Sequence, residues 1–344
     1  MKSKVVLLII LLSVVLITYK TTSGINYKFD INDGTGELEN GLVILWPDEI
    51  TYLTWLETRK DAFFKIISGE REATNLFGYY ISSIYLLSGE WWFAYISGLI
   101  GFVFFIKSSK ALVGRIGFSS GKNTWLYLMY LSPTILMLSA SMLRDLYVLA
   151  FINLIFIYAI EKKYLYVLLF LVLLFFLRNF YVPLIIPFVL LFLFRGSVFQ
   201  GPLILLSCVC VLLGSGVLVY SKPSIYETDL LDMAMRVLTA FTGISVELIK
   251  PIENINKGFL YALEYFGLFH QALISLLFFG YIVLQGGRFN IFIIPLVVFV
   301  LALAIIYGHF LGYFVSRTKL VIVWLMVIYV MVDKSRVGCK LSGV

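Results

Sequence analysis

Charge, histidine and cysteine are scarce in this chain, and each scarcity removes a class of function. Only 14% of the 344 residues are charged while 61% are hydrophobic, and the mean hydropathy is +0.96. No soluble domain covers its surface with so few charges, and several apolar runs approach the roughly 20 residues that cross a bilayer core. His270 and His309 are the only histidines, which excludes a histidine-rich metal site. Cys208 and Cys210 lie inside one apolar run and Cys339 in a basic tail, so neither a disulfide framework nor a metal-ligand spacing exists. The short alternating segments of a membrane barrel are missing, since the apolar runs are continuous. No repeat or low-complexity segment stands out. The net charge of +7 then reports topology rather than nucleic-acid binding. What remains is an all-α polytopic membrane protein, read as one integral membrane domain over 1–344.

Charge placement orients the spans. Lys2 and Lys4 precede the apolar run Val5 to Tyr19, and no small-x-small cleavage site follows. This run is a first crossing with a cytoplasmic N-terminus. Residues 20–74 carry six basic and ten acidic residues and belong outside. Within them, Ile50, Leu53, Trp55, Leu56, Phe63, Phe64 and Ile67 recur at helical spacing, predicting an interfacial amphipathic helix over about 48–68. The apolar stretch 75–88 is too short to cross. A crossing there would also export Lys107, Lys110, Arg115 and Lys122, against the rule that basic loops stay inside. It is read as a non-spanning helix in the first outer loop, 20–90. Trp91 to Ile106 is then the second crossing, and 123–142, 146–160 and 164–177 follow. The run 164–194 would form a single helix of about 46 Å, so it is split at Arg178. Further spans are expected at 202–220, 259–285, 289–307 and 319–332, with an outer loop over 221–258. The total is about ten spans (nine to eleven), with both termini cytoplasmic. Glu161 and Asp333 are then the only inner acidic residues.

This topology gathers the polar residues on one face. Asp48, Glu49, Arg144, Asp145, Arg178, His309, Arg317 and Lys319 all fall at outer helix ends or in outer loops. Adjacent carboxylates beside a bilayer are costly and mark candidate sites. Asp48 and Glu49 would stand in the first turn of the interfacial helix, where the helix dipole favours anions. Arginine and lysine suit pyrophosphate, arginine through paired hydrogen bonds, and a carboxylate suits proton removal from an attacking hydroxyl. Plainer readings stand beside these. Asp145 can cap the following helix, Arg178 can snorkel to the interface, and Arg317 and Lys319 can simply flank the last span.

The order of features resembles the C-type membrane glycosyltransferases: a first helix, an outer loop with Pro47-Asp48-Glu49-Ile50-Thr51-Tyr52, a short apolar helix, then a helix ending in basic residues. The later half is similar to bacterial surface-polysaccharide polymerases of the Wzy-like kind. The carrying residues there are Leu131-Ser132-Pro133, Ser139-Ala140-Ser141-Met142-Leu143-Arg144-Asp145, Leu177-Arg178 and Ser316-Arg317-Thr318-Lys319. The resemblance is one of pattern. It implies Asp48 as catalytic carboxylate with Glu49 beside it, and Asp145 as the acidic residue of the second outer loop. Arg144 and Arg178 would hold the donor phosphates, with Arg317 and Lys319 as further candidates. Metal-using relatives carry a richer acidic cluster than the lone Asp145, so the resemblance leaves a divalent metal open without implying one, and it fixes no cofactor.

The expected function is a transferase of the bacterial inner membrane acting at the periplasmic face. Its substrate would be a polyprenyl-phosphate- or polyprenyl-diphosphate-linked sugar, its partner the membrane lipid, and its role O-antigen or capsule polymerisation. The alternative is a flippase of lipid-linked oligosaccharide, which would bury charges at mid-membrane between inverted repeats. A membrane acyltransferase would need a histidine inside the membrane region, for which His270 is the candidate.

Overall fold

The computed structural model describes residues 2–24, 52, 76–89, 91–117, 124–220, 238, 259–285, 290–311 and 316–335. Among them every regular element is a helix. These are α1 (Lys2–Gly24), α2 (Leu76–Ser88), a 3-10 turn (Trp91–Tyr95), α3 (Ile96–Ile116), α4 (Thr124–Tyr130), α5 (Pro133–Ser139) and α6 (Asp145–Ile160), then α7 (Tyr164–Arg178), α8 (Tyr181–Leu193), α9 (Gln200–Tyr220), α10 (Phe259–Leu284), α11 (Ile293–Leu311) and α12 (Ser316–Asp333). Apart from Tyr52 and Leu238, the expected interfacial helix over 48–68 and the outer loop over 221–258 lie outside the described residues.

Three helical stretches, Phe93–Ile116, Gln200–Val217 and Ala262–Leu284, are long and apolar enough to cross a membrane, and five shorter apolar helices accompany them. Leu11, Val15, Leu168, Val172, Leu213, Val217 and Phe269 are exposed around the bundle. An apolar perimeter of that extent would not persist in water and suits lipid. This is a helical membrane protein.

Proline punctuates the helices. Pro183, Pro202 and Pro295 sit in the first turns of α8, α9 and α11, where an amide N–H has no intrahelical partner anyway. Pro133 opens α5 and changes the expected architecture: the single helix anticipated over 123–142 is two short ones. A proline pushes its predecessor out of the helical region, and Ser132 accordingly has φ −59° and ψ 124°. The second difference is at α3, which runs on to Ile116, so Lys107, Lys110 and Arg115 ride on the helix itself. It stops at Gly117, whose φ of 79° lets its N–H reach back to the Gly114 carbonyl.

The core is built around α12. Leu320 to Val332 are all buried, because α10, α11, α3, α4, α5 and α6 pack around that helix. A helix apolar on every face belongs in such a central position. Its register is set by two buried hydrogen bonds. The Trp324 indole N–H donates to Asn153 Oδ1 at 2.7 Å, and Asn153 Nδ2 donates to Ser108 Oγ at 3.1 Å. Asn153 thus ties α12 to α6 and α3.

The helices beside this core are short. α6, α7 and α8 have 16, 15 and 13 residues, about 20 to 24 Å each at 1.5 Å per residue, against a hydrocarbon core of roughly 30 Å. The common reason lies at one end, where the break from Ala140 to Arg144 precedes α6 and the turn Asn179–Phe180 joins α7 to α8. Ala140 to Leu143 are fully buried although non-helical. Irregular backbone at membrane depth is tolerated only when protein surrounds it or a cavity adjoins it.

Candidate functional site

Contacts along the bundle fix which termini share an end. The Tyr147 hydroxyl donates to the Ser97 carbonyl at 2.7 Å, while Arg115 and Glu161 pair at 2.8 Å. α3 and α6 are therefore parallel, with their starts together. Arg178, closing α7, pairs with Asp145, opening α6, at 3.3 Å. Tyr329, five residues beyond Trp324, meets Phe292, and Phe292 also meets Phe188 and Phe192, the ring partners of Phe156. Since Phe156 follows Asn153, α12 runs parallel to α6. Arg317 and Lys319 therefore start at the end that carries Asp145.

Four sequence-predicted site residues, Asp145, Arg178, Arg317 and Lys319, are thus gathered at one end, and all are buried, at 2%, 8%, 9% and 1% exposure. Arg144 stands immediately before α6, half-buried. These side chains do not face solvent: the end is recessed. Nor is Asp145 a helix cap paired with its neighbour. It stands in the first turn of α6 and its ionic partner is Arg178, on another helix. The Arg178 guanidinium also lies 5.8 Å from the Phe180 ring centre, so an aromatic face and a carboxylate hold it together.

Asp48 and Glu49 lie outside the described residues. Tyr52, four positions on, is buried and meets Phe77 edge-on at 5.4 Å. Phe77 meets Tyr147 at 5.5 Å, and the Tyr80 and Tyr147 hydroxyls are 3.0 Å apart. Tyr147 is two residues past Asp145, so this aromatic chain leads from the first loop to the recessed end. His309 belongs to α11, and its side chain lies outside the described atoms.

The sequence reading missed Lys20. It counts there as a loop charge flanking the first span, yet it is 5% exposed. Its ammonium donates to Ser141 Oγ at 3.1 Å and lies 5.3 Å from the Tyr95 ring centre. Seven residues earlier, the Ser13 hydroxyl bonds that of Ser139. Two polar side chains seven apart share a helix face, and Ile9, Ser13, Leu16, Ile17 and Lys20 form the buried stripe of α1. That spacing was the available signal. Gly98 completes the packing: a Cβ there would lie 2.4 Å from the Ser141 carbonyl oxygen and 2.7 Å from that of Ser139.

The opposite end is built differently. Glu161 takes Arg115 and Lys163 at 2.8 Å each, and Asp333 accepts from the Tyr281 hydroxyl at 2.6 Å and from Asn290 Nδ2 at 3.0 Å. There the charges face carboxylates in local clamps. At the recessed end, Lys20, Arg178, Arg317 and Lys319 are buried on three different helices. Such an end can receive an anion held from several sides. Among the described residues no three His, Cys, Asp or Glu side chains converge. Comparison of the chain with family models, with characterised proteins and with solved structures gave no match.

Proposed function

We propose that this protein is a glycosyltransferase of the bacterial inner membrane whose donor is a polyprenyl-phosphate- or polyprenyl-diphosphate-linked sugar. In this reading it crosses the membrane about ten times with both termini in the cytoplasm, and the recessed end faces the periplasm. Lys107, Lys110, Arg115, Lys162, Lys163, Arg195 and Lys334 would occupy the cytoplasmic side, as the positive-inside rule requires. The reaction is a single displacement. An acceptor hydroxyl oxygen bonds to the anomeric carbon, the bond from that carbon to the phosphate oxygen breaks, and the lipid phosphate departs with the electron pair. Arg178, with Arg144, Arg317 and Lys319, takes the charge that grows on the leaving phosphate. Asp48 receives the proton of the acceptor hydroxyl, with Glu49 beside it, and Asp145 orients Arg178. Repeat-unit polymerisation in O-antigen or capsule synthesis is the role that accords with the resemblance. No step requires a metal.

The observation that carries the reading is the Arg178–Asp145 ion pair, buried at the recessed end among three further buried cations. Burying charge in a membrane protein is expensive, and ionisable residues kept there line substrate paths. Tyr52 adds support, because four residues of chain span at most about 14 Å, and Tyr52 is packed on the aromatic chain leading to that end. The test is transfer from polyprenyl diphosphate-linked repeat units by the purified protein in liposomes. Asp48→Ala and Arg178→Ala should each lower the rate at least about 100-fold, the scale of losing a proton acceptor or a buried charge contact. Undiminished transfer by both variants would sink the site assignment.

A further inference from the structure

Asp145 has a carboxylate with unequal oxygens. Oδ1 stands 3.3 Å from Arg178 Nη2. Oδ2 is buried and has no hydrogen-bond partner among the described residues. A buried acceptor left unpaired costs the full desolvation of that atom, and folded proteins leave very few of them. Such an atom, held beside the Arg178 guanidinium at the end that also buries Arg317 and Lys319, is best explained by a group that arrives with the ligand.

We infer that Asp145 divides its carboxylate between two tasks: Oδ1 holds Arg178, and Oδ2 accepts a hydrogen bond from a hydroxyl of the sugar carried on the lipid phosphate. The inference deepens the glycosyltransferase reading and rests on it. The chemistry selects the donor. An ionised carboxylate oxygen only accepts, so its partner must bring an O–H or N–H. The neighbour of Oδ2 is a guanidinium, which draws phosphate oxygens by paired hydrogen bonds. The ligand group therefore places a hydrogen-bond donor next to an anion. A sugar joined to phosphate does this through the hydroxyl, or acetamido N–H, on the carbon beside the anomeric one. A bare lipid diphosphate has no such donor. Ser97, fully buried where α3 begins, has a hydroxyl that is also without a hydrogen bond among the described residues, while its carbonyl is taken by Tyr147. It offers a second open valence at the same end.

Asp145→Asn separates the two tasks. The amide carbonyl can still face Arg178, but the position of Oδ2 now carries an N–H, which can only donate to the hydroxyl oxygen, so a charge-assisted hydrogen bond gives way to a weaker neutral one. Equilibrium binding to the full-length protein in detergent is measured with polyprenyl diphosphate, with the same lipid bearing one hexose, and with its analogue lacking the hydroxyl beside the anomeric carbon. The wild type is expected to bind the hexose-bearing lipid at least about tenfold tighter than the bare one, as for a hydrogen bond to a charged acceptor. The deoxy analogue should bind like the bare lipid, and this arm stands even if the variant fails to fold. Asp145→Asn should lose most of the preference, weakening binding of the hexose-bearing lipid more than that of the bare lipid. Equal weakening toward all three lipids, or a wild type indifferent to the missing hydroxyl, overturns the inference and leaves the phosphate reading in place. Phosphatidylglycerol and phosphatidic acid form a control pair, differing by hydroxyls on a membrane-lipid phosphate. If Asp145→Asn abolishes discrimination within that pair but keeps the hexose preference, the hydroxyl belongs to a resident lipid and the inference is overturned. If the wild type binds no polyprenyl diphosphate at all, the glycosyltransferase reading falls and the inference with it.

Discussion

Lys20 and Asp145 lie on different helices, yet both are set by the break between α5 and α6. Ser141 in that break accepts from Lys20, and Asp145 follows four residues later. The break can lie so close to α3 only because residue 98 has no side chain, which ties a backbone detail to the position of the charged residues. Gly98→Ala should cost about 2 kcal/mol, the scale of overpacking a filled interior, because its Cβ would meet backbone oxygens that cannot swing away. Gly114→Ala on the same helix is the control. Nothing lies within 4 Å of a Cβ there, so it should be neutral or stabilise by about 0.5–1 kcal/mol through helix propensity. Thermal unfolding of the two variants in detergent checks both, and equal effects would refute the close packing.

At the scale of elements, hydropathy revealed where helices exist but not how deep they end. The divisions at Arg178 and after Ile160 were legible because charge interrupts an apolar run there. The break at Ser132–Pro133 was not seen, since both flanks are apolar and only the conformational limit imposed by proline marks it. Lys20 reads as a flank because the buried face of α1 shows up in the spacing of Ser13 and Lys20 and not in mean hydropathy. Burial of Asp145 and Arg178 was beyond reach, since it depends on α6, α7 and α8 being shorter than the bilayer core. The role of Asn153 was equally hidden: a lone Asn in a run such as Leu149 to Phe156 gives no hint of its partners. Asn153→Ala would leave the Trp324 N–H without its acceptor in the core, and should cost about 1–3 kcal/mol. Ser108→Ala removes a single bond of that chain and should cost less. Chemical denaturation of the two variants checks the order.

For the whole molecule, the two ends differ in their electrostatics. At the exposed turn after α6, Glu161 is held below the usual carboxylate range, chiefly by the hydrogen bond from Lys163, with desolvation opposing it and Arg115 adding to it. The Lys163 ammonium is in turn raised by Glu161. Because folding lowers the Glu161 value, its contribution to stability is present above the ordinary carboxylate range and is lost as pH falls through the lowered value. Because folding raises Lys163, its contribution is present below the ordinary lysine range and is lost as pH rises through the raised value. Glu161→Gln should therefore flatten the acid limb of the stability profile and remove part of its salt sensitivity. Stability measured from neutral to acid pH at low and high salt checks this; an unchanged limb would count against the clamp.

The recessed end is the opposite case, with buried cations spread over three helices, and the functional account depends on what it binds. The direct measurement is equilibrium binding of polyprenyl diphosphate to the detergent-solubilised protein, comparing wild type, Arg178→Gln and Arg115→Gln. Arg178→Gln should weaken binding at least about 30-fold, the loss of one charge-assisted contact, while Arg115→Gln at the other end should bind like the wild type. Equal affinity of Arg178→Gln and wild type would contradict the account.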